Sequence, residues 1–263
     1  MSKIVVEKSE IIKIKKLGRD YSVISIAPFS KLKTILPGQF VHVRIPDSNI
    51  YFRRAFSIYD VNPKNQSFDL IFKVFGRGTR LLAAMREGET IDILGPLGNS
   101  FRLPNHTSTI ILAGGGIGMP PVYFLARRLI DKGFEKKRIL FFYGGNSKDD
   151  LVDTARIRKL GIRIIPSTVD GSVGFKGLIT SAIEKELPKI AGQKVIYACG
   201  PEGMLKAIDA LAIKENIPGQ VSLEAPMPCG IGVCLGCIRP KREGGYTRVC
   251  REGPVYDIGE VIL

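Results

Sequence analysis

The chain has 263 residues, with 39 Lys and Arg against 25 Asp and Glu, a formal net charge of +14, five Cys, two His and no Trp. The length suggests about two domains, and a hydrophobic fraction of 44% excludes wholesale disorder. No run reaches the ~20 continuous apolar residues of a membrane span, and Met1–Glu7 lacks the apolar core of a secretory leader. A cytoplasmic protein without a membrane segment is expected, and in reducing surroundings clustered Cys are read first as metal ligands.

The first hundred residues alternate short β-like runs with turns. Strands are predicted over Tyr21–Ala27, Gln39–Ile45, Arg54–Tyr59 and Phe68–Phe75, broken at Pro37-Gly38, Pro46-Asp47, Asn62-Pro63 and Gly76-Arg77-Gly78. That spacing argues for an antiparallel barrel or sandwich. Arg54-Ala55-Phe56-Ser57 opens one strand, where an Arg can hold a pyrophosphate bidentately and Ser57 can bond a ring heteroatom. Gly78 and the Thr79 amide, opening a short helix over Thr79–Met85, can meet a phosphate at the positive helix end. A strand-edge Arg taken alone is more often a surface residue.

The pattern then changes to strand–helix alternation. Thr109–Ala113, Arg138–Tyr143, Ile162–Pro166 and Val195–Ala198 read as strands, and Pro120–Lys132, Asp149–Leu160, Gly177–Glu186 and Glu202–Glu215 as helices. Fully apolar strands in such alternation imply a parallel α/β sheet. Gly114-Gly115-Gly116-Ile117-Gly118 joins the first of these strands to its helix, and bare backbone amides there can cradle a pyrophosphate. It is not a full G-x-G-x-x-G, because Met119 stands at the third Gly position, and a glycine turn also serves as a tight connection. Cys199-Gly200-Pro201 follows the last strand, at the carboxyl edge where such sheets bind ligands. Cys199 read blandly is a small buried hydrophobe. Lys148 could admit a 2′-phosphate, while Asp149 and Asp150 oppose it, so NAD is expected over NADP.

Four of the five Cys lie in the last 41 residues, as Cys229, Cys234, Cys237 and Cys250, a C-x4-C-x2-C-x12-C array. C-x4-C-x2-C with a distant fourth Cys is the plant-type 2Fe–2S spacing. Gly230, Gly232 and Gly236 lie between the ligands and let amides approach sulfur. A structural zinc also takes four thiolates, but its ligands usually come as two close pairs, and Cys250 stands alone. A Rieske centre needs two His; His42 and His106 are far from the array in sequence and read as surface or packing residues. The fourth Cys comes sooner than in plant-type ferredoxins, so the tail is a compact cluster-binding appendage.

The order R-x-F-S, G-x-G-T, glycine-rich α/β unit and Cys199-Gly200-Pro201 resembles the ferredoxin-reductase superfamily. The tail from Leu223-Glu224 through C-G-I-G-V-C-L-G-C to Val249-Cys250-Arg251-Glu252-Gly253-Pro254-Val255-Tyr256 looks like the electron-transfer subunit of class B dihydroorotate dehydrogenase, as does Thr168–Gly177. The resemblance covers nearly the whole chain. It implies a flavin-binding antiparallel β-barrel over residues 1–102, a parallel-sheet NAD-binding domain over 103–222 and a small 2Fe–2S domain over 223–263. It further implies FAD contacts from Arg54, Ala55, Phe56, Ser57, Ile71, Phe72, Lys73, Gly78 and Thr79. NAD(H) contacts are implied from Gly116, Gly118, Cys199 and Gly200, and cluster ligands from Cys229, Cys234, Cys237 and Cys250.

An electron relay is the activity that the resemblance implies. Dihydroorotate is oxidised in a catalytic FMN-containing partner subunit, and electrons pass through the cluster and FAD to NAD+, with a heterotetramer as the expected assembly and no catalytic acid, base or nucleophile from this chain. One alternative is the NAD(P)H-oxidising subunit of a sulfhydrogenase or a ferredoxin:NADP oxidoreductase. Another is a zinc-containing binding module without enzymatic activity. Residues 1–100 carry 16 basic and 9 acidic side chains, residues 101–222 carry 18 and 11, and residues 223–263 carry five of each. Dispersed basic residues of this kind read as a surface field over anionic cofactors rather than a nucleic-acid footprint.

Overall fold

The computed structural model describes residues 4–47 and 49–263. Six antiparallel strands close a barrel: β1 (Val5–Leu17), β2 (Tyr21–Ala27), β3 (Phe40–Arg44), β4 (Arg54–Asn62), β5 (Ser67–Lys73) and β6 (Thr90–Leu97), in the order β1-β2-β5-β4-β3-β6. Closure leaves no free strand edge. Ile11, Ile24, Val41, Ile58, Leu70 and Ile93 fill its interior. Helix α1 (Arg77–Ala84) follows β5, and its Leu82 packs with the barrel core.

The sequence reading had no strand for β1 or β6. In β1 only Ser9 and Ile11 are fully buried, and the rest of its length mixes Lys and Glu with apolar residues. β6 contains Gly95-Pro96, which reads as a breaker. Both strands are specified by closure of the barrel, through β1–β6 and β3–β6 pairing, and not by their own patterns.

The α/β unit runs through β7 (Thr109–Gly115), α2 (Met119–Asp131), β8 (Ile139–Gly145), α3 (Thr154–Arg158), β9 (Arg163–Thr168), β10 (Phe175–Lys176), α4 (Ile179–Glu186), β11 (Lys194–Cys199), α5 (Glu202–Lys214) and β12 (Gly219–Ser222). These strands pair in parallel, and Ile110, Ile111, Leu112, Phe141 and Phe142 are fully buried on both faces. Pro120 and Pro121 occupy the first turn of α2, where no amide donor is needed. The helix expected over Asp149–Leu160 is cut to a short 3-10 turn and α3. Asp150 turns its carboxylate back to the Asn146 amide at 3.0 Å, the buried Tyr143 hydroxyl takes the Val152 amide at 3.0 Å, and Asp153 is left-handed at φ 49°.

The tail forms a small hairpin, β13 (Ile238–Pro240) with β14 (Tyr246–Arg248), and then β15 (Val255–Asp257). β15 pairs antiparallel with β12, so the seven-stranded sheet β10-β9-β8-β7-β11-β12-β15 ends on a strand from the tail. Asn99, after the barrel, fixes this arrangement. Its amide donates to the Glu252 and Val255 carbonyls at 2.8 Å each, and its side-chain oxygen accepts from the Val255 amide at 2.9 Å. The tail thus borrows a core from its neighbours: Tyr256 and Val261 pack with Ile196, Leu205 and Val221. No described helix is long and apolar enough to cross a membrane.

Candidate functional site

A cavity of about 250 Å3 lies where barrel, sheet and tail meet. From the barrel, Ala55, Phe56 and Ser57 on β4 and Ile71, Phe72 and Lys73 on β5 line it, with Thr79 from α1. Phe40, Phe75, Ile117 and Pro120 add apolar wall, and Ser222, Leu223, Glu224, Ala225 and Met227 close it from the tail side. Aromatic walls with a few convergent polar groups suit a planar heterocycle. The volume is below the ~300–1,000 Å3 of a whole-ligand pocket, a size that suits the ring end of a larger molecule.

Arg54 and Gly78 stand together beside that cavity. A β-carbon placed on Gly78 would lie 3.5 Å from Arg54 Nε, so the guanidinium rests against the first turn of α1. Its Nη1 donates to the Phe52 carbonyl at 2.7 Å, which holds it there. A guanidinium against a helix N-terminus is an anion site of complementary parts. The Thr79 hydroxyl accepts from the Phe75 and Gly76 amides at 3.1 Å each and thereby closes the turn that begins the helix. The helix opens at Arg77, two residues earlier than the expected Thr79.

A second cavity of about 630 Å3 lies along the carboxyl ends of the parallel strands, lined by Gly115, Gly116, Gly118, Gly144, Gly145 and Gly200 among others. The glycines have a steric cause. A β-carbon on Gly118 would stand 2.5 Å from the backbone N and Cα of Gly200, and one on Gly115 would stand 2.5 Å from Met204 Sδ. The two turns after β7 and β11 therefore touch backbone to backbone and leave a smooth trough at the sheet's ligand edge. Cys199 is placed differently from Gly200. It is buried beneath the trough, does not line it, and burial raises its thiol far above the ordinary range.

Lys73 and Glu224 line both cavities. Lys73 Nζ stands 3.6 Å from Asp150 and over the Tyr21 ring. Glu224 borders the same junction with its side chain open to the cavities, and desolvation by the protein massed around it raises its carboxyl above the usual range. Sequence reasoning missed Glu224, Phe40 and Tyr21 as wall residues. The detectable signal for Glu224 was its place just past the carboxyl end of a sheet strand.

Beyond Met227 the tail enters the cysteine loop. Cys237 and Cys250 are buried, Cys229 is half-buried and Cys234 is exposed. The Cys229 thiol meets that of Cys234 and the Cys250 thiol meets that of Cys237, and Cys229 also acts on Cys250, so all four are drawn together. Among the described residues no three His, Cys, Asp or Glu side chains converge as a single ion needs. Four thiolates are the number that a two-iron centre takes. Amides already point at the sulfurs: Gly236 N–H at Cys234 Sγ and Cys250 N–H at Cys237 Sγ, 3.4 Å each. Burial works against ionising Cys229, but the Cys234, Ile231 and Val233 amides and the Cys234 thiol outweigh it and bring that thiol down to about 6. Burial, then the neighbouring Cys237, push Cys250 up to about 12. Arg248 donates to the Gly232 carbonyl at 3.1 Å and pairs with Glu252, tying the loop to the segment after Cys250. Leu235 is left-handed at φ 59°, a conformation disfavoured for its side chain, between Cys234 and Cys237.

The similarities to known proteins divide along the same three parts. Residues 8–102 match the oxidoreductase FAD-binding domain, residues 112–210 the oxidoreductase NAD-binding domain, and residues 224–262 the iron-sulfur cluster binding domain of dihydroorotate dehydrogenase B. The electron transfer subunit of dihydroorotate dehydrogenase B (NAD(+)) from Enterococcus faecalis is 39% identical over 234 residues, 86% of this chain and 87% of that protein. The subunit of the same name from Shouchella clausii is 37% identical over 233 residues, 86% of each. Among solved structures, a chain of the NADH-dependent reduced ferredoxin-NADP oxidoreductase superposes with a TM-score of 0.86 at 30% identity, covering 97% of this chain and 89% of that one. The cytochrome b5 reductase domain of Ulva prolifera nitrate reductase, at 19% identity and a TM-score of 0.63 over 77% of this chain and 89% of its own, shares the fold. With FAD-, NAD- and iron–sulfur-binding domains in this order, the chain belongs to the family of electron transfer subunits of dihydroorotate dehydrogenase B (NAD(+)).

Proposed function

We propose that this chain carries electrons from a catalytic FMN-containing dihydroorotate dehydrogenase subunit to NAD+. The observation that carries the reading is the continuity of the three sites. Met227 lines the first cavity and Cys229 is two residues farther on, so they are at most about 7 Å apart along the chain. Lys73 and Glu224 border both cavities. When bound, the cluster supplies single-electron transfer and the flavin the change to the electron pair that nicotinamide takes as hydride.

The residues of the chain divide the work. Ala55, Phe56, Ser57, Ile71, Phe72 and Lys73 hold the flavin ring, and Arg54, Gly78 and Thr79 the FAD pyrophosphate. Gly116, Gly118 and Gly200 hold NAD(H), with Cys199 packed behind them. Asp150 lines that trough, and a carboxylate there favours a free ribose over a 2′-phosphate. Cys229, Cys234, Cys237 and Cys250 hold the 2Fe–2S cluster. The working division is 1–102 for FAD, 103–222 for NAD and 223–263 for the cluster. Gathered free thiols support a reducing, cytoplasmic setting.

The docking face for the catalytic subunit surrounds exposed Cys234. Val233 is 74% exposed and Leu235 55%, with Ile231 and Ile238 also open, an apolar patch of the kind that marks a protein interface. A heterotetramer of two catalytic and two electron-transfer chains is the proposed assembly.

The test is anaerobic reconstitution with the catalytic subunit. Dihydroorotate-dependent NAD+ reduction should need both chains, and the mass of the complex should be that of two copies of each. A second reading, transfer to or from a ferredoxin, is favoured by the 30% identity to the ferredoxin-NADP oxidoreductase chain. No dihydroorotate-dependent turnover together with ferredoxin-dependent turnover would replace the first reading by the second.

A further inference from the structure

Hydride passes only between reacting atoms about 3–3.5 Å apart, so the two rings of the proposed relay must meet where the two cavities join. Lys73, Ile117 and Glu224 line both cavities and are therefore the side chains at the meeting place. Lys73 and Glu224 bring opposite charges there, and the two are not equally free. Lys73 Nζ is turned to the nucleotide domain, 3.6 Å from Asp150 and over the Tyr21 ring. The ammonium is thus balanced by a carboxylate of its own.

Glu224 has no such balance. It stands two residues past the end of β12, where the chain leaves the sheet for the cysteine loop. Among the described residues no cation and no hydrogen-bond donor lowers its carboxyl, and desolvation by the surrounding protein alone raises it. The side chain is nevertheless open to the cavities. Its charge is felt by the buried Cys199 thiol, which sets it beside the Cys199-Gly200 turn of the trough. A carboxylate short of water and without a partner gains most from a cation that comes to it. The oxidised nicotinamide ring is such a cation. On taking a hydride, two electrons and one proton, from the reduced flavin, that ring becomes neutral and the flavin is left oxidised.

We propose that Glu224 sets the preference of the nicotinamide site for NAD+ over NADH, its carboxylate attracting the cationic ring and losing that attraction once the hydride has arrived. Substrate is thereby held and product let go, the order that NAD+ reduction requires. The proposal rests on the reading of the two cavities as flavin and NAD(H) sites.

The test is a calorimetric titration at pH 8 of the anaerobically purified, oxidised chain carrying FAD and cluster. The probes are NAD+ and 1,4,5,6-tetrahydro-NAD, whose ring is neutral and gives up no hydride. Glu224→Gln should weaken NAD+ about tenfold relative to tetrahydro-NAD, with tetrahydro-NAD itself bound as by the wild type. Glu224→Asp, which keeps the charge, should recover most of the preference. A ratio of the two affinities that changes less than about threefold in Glu224→Gln, because neither moves or because both fall together, overturns the proposal. If Glu224→Gln loses its flavin, Glu224→Asp decides: a ratio reduced less than about threefold supports the charge role, and a larger reduction overturns it. A wild-type chain that binds neither probe overturns the reading of the trough as an NAD(H) site, and this proposal with it.

Discussion

Arg156, on α3 of the nucleotide domain, closes a 2.5 Å ion pair with Asp60 on barrel strand β4. The same guanidinium reaches Asp69 at 2.8 Å and lies over the Tyr59 ring at 4.6 Å. Asp60 also takes Arg127 from α2, and the Tyr59 hydroxyl donates to Asp153 at 3.0 Å. These contacts fix the angle between barrel and sheet, and hence the junction of the two cavities. Asp60→Ala removes the shared carboxylate and leaves two guanidiniums short of a partner. Loss of one side of a buried pair costs about 3–5 kcal/mol. Arg156 keeps Asp69, so the lower end, about 3 kcal/mol, is expected. Thermal melting of the flavin-loaded chain should show a fall of about 6–12 °C. A fall under about 2 °C would mean that the ion pairs do not hold the domains together.

How much of this was legible beforehand differs from part to part, for physical reasons. The proposed cluster ligands are local: Cys229, Cys234 and Cys237 sit in one loop and announce themselves by spacing. The R-x-F-S strand and the Gly114–Gly118 turn are local too, since each is a backbone conformation written in adjacent residues. Asp60, Asn99 and His42 were silent because their partners, Arg156, Val255 and Gly230, lie about a hundred or more positions away. His42 reads as an ordinary surface or packing residue, yet the fold buries it against Gly230 of the cysteine loop. The tail's own strand β15 is three residues long and exists only because β12 offers an edge.

The two glycines of the dinucleotide trough should respond differently to the same change. Gly118→Ala forces a methyl group into the Gly200 backbone, which cannot rotate away. Overpacking of this kind costs about 1–3 kcal/mol, and it separates the two turns that form the trough. NAD(H) affinity should fall at least about tenfold while FAD content stays normal. Gly116→Ala meets no atom within 4 Å and carries only the left-handed φ of +50°, a cost of about 1–2 kcal/mol. Its NAD(H) affinity should fall less than that of Gly118→Ala. Titration of flavin-loaded variants with NAD+ measures both, and the reverse order would mean that contact with the ligand, not turn-to-turn packing, selects the glycines.

The five Cys should divide four to one. Ser in place of Cys229, Cys234, Cys237 or Cys250 should abolish or strongly deplete the cluster, seen as loss of iron, of sulfide and of the charge-transfer bands beside the flavin spectrum. Cys199→Ala should leave all three at wild-type amounts, because its thiol is buried in the α/β core away from the loop. The small void it leaves should cost about 1 kcal/mol, or about 2–4 °C in melting temperature. Iron loss in Cys199→Ala equal to that of the loop variants would remove it from the core and return it to the metal site.

Glu224 gives a prediction with a sign that can be worked out. Desolvation by the surrounding protein raises its carboxyl in the folded chain, although the side chain is open to the cavities, so the native state holds the proton more tightly than the unfolded state. Its contribution is fully present below the unfolded pKa of about 4.3 and is lost as pH rises through the raised native value. Glu224→Gln cannot ionise and keeps the neutral side chain at every pH. The variant should therefore melt above the wild type at pH 8, and the gap should close on acidification toward pH 4. Paired melting curves of the flavin-loaded proteins across that range are sufficient. A gap that is constant with pH would show that the carboxyl titrates alike in both states. The surrounding protein would then impose no desolvation on the open Glu224 side chain.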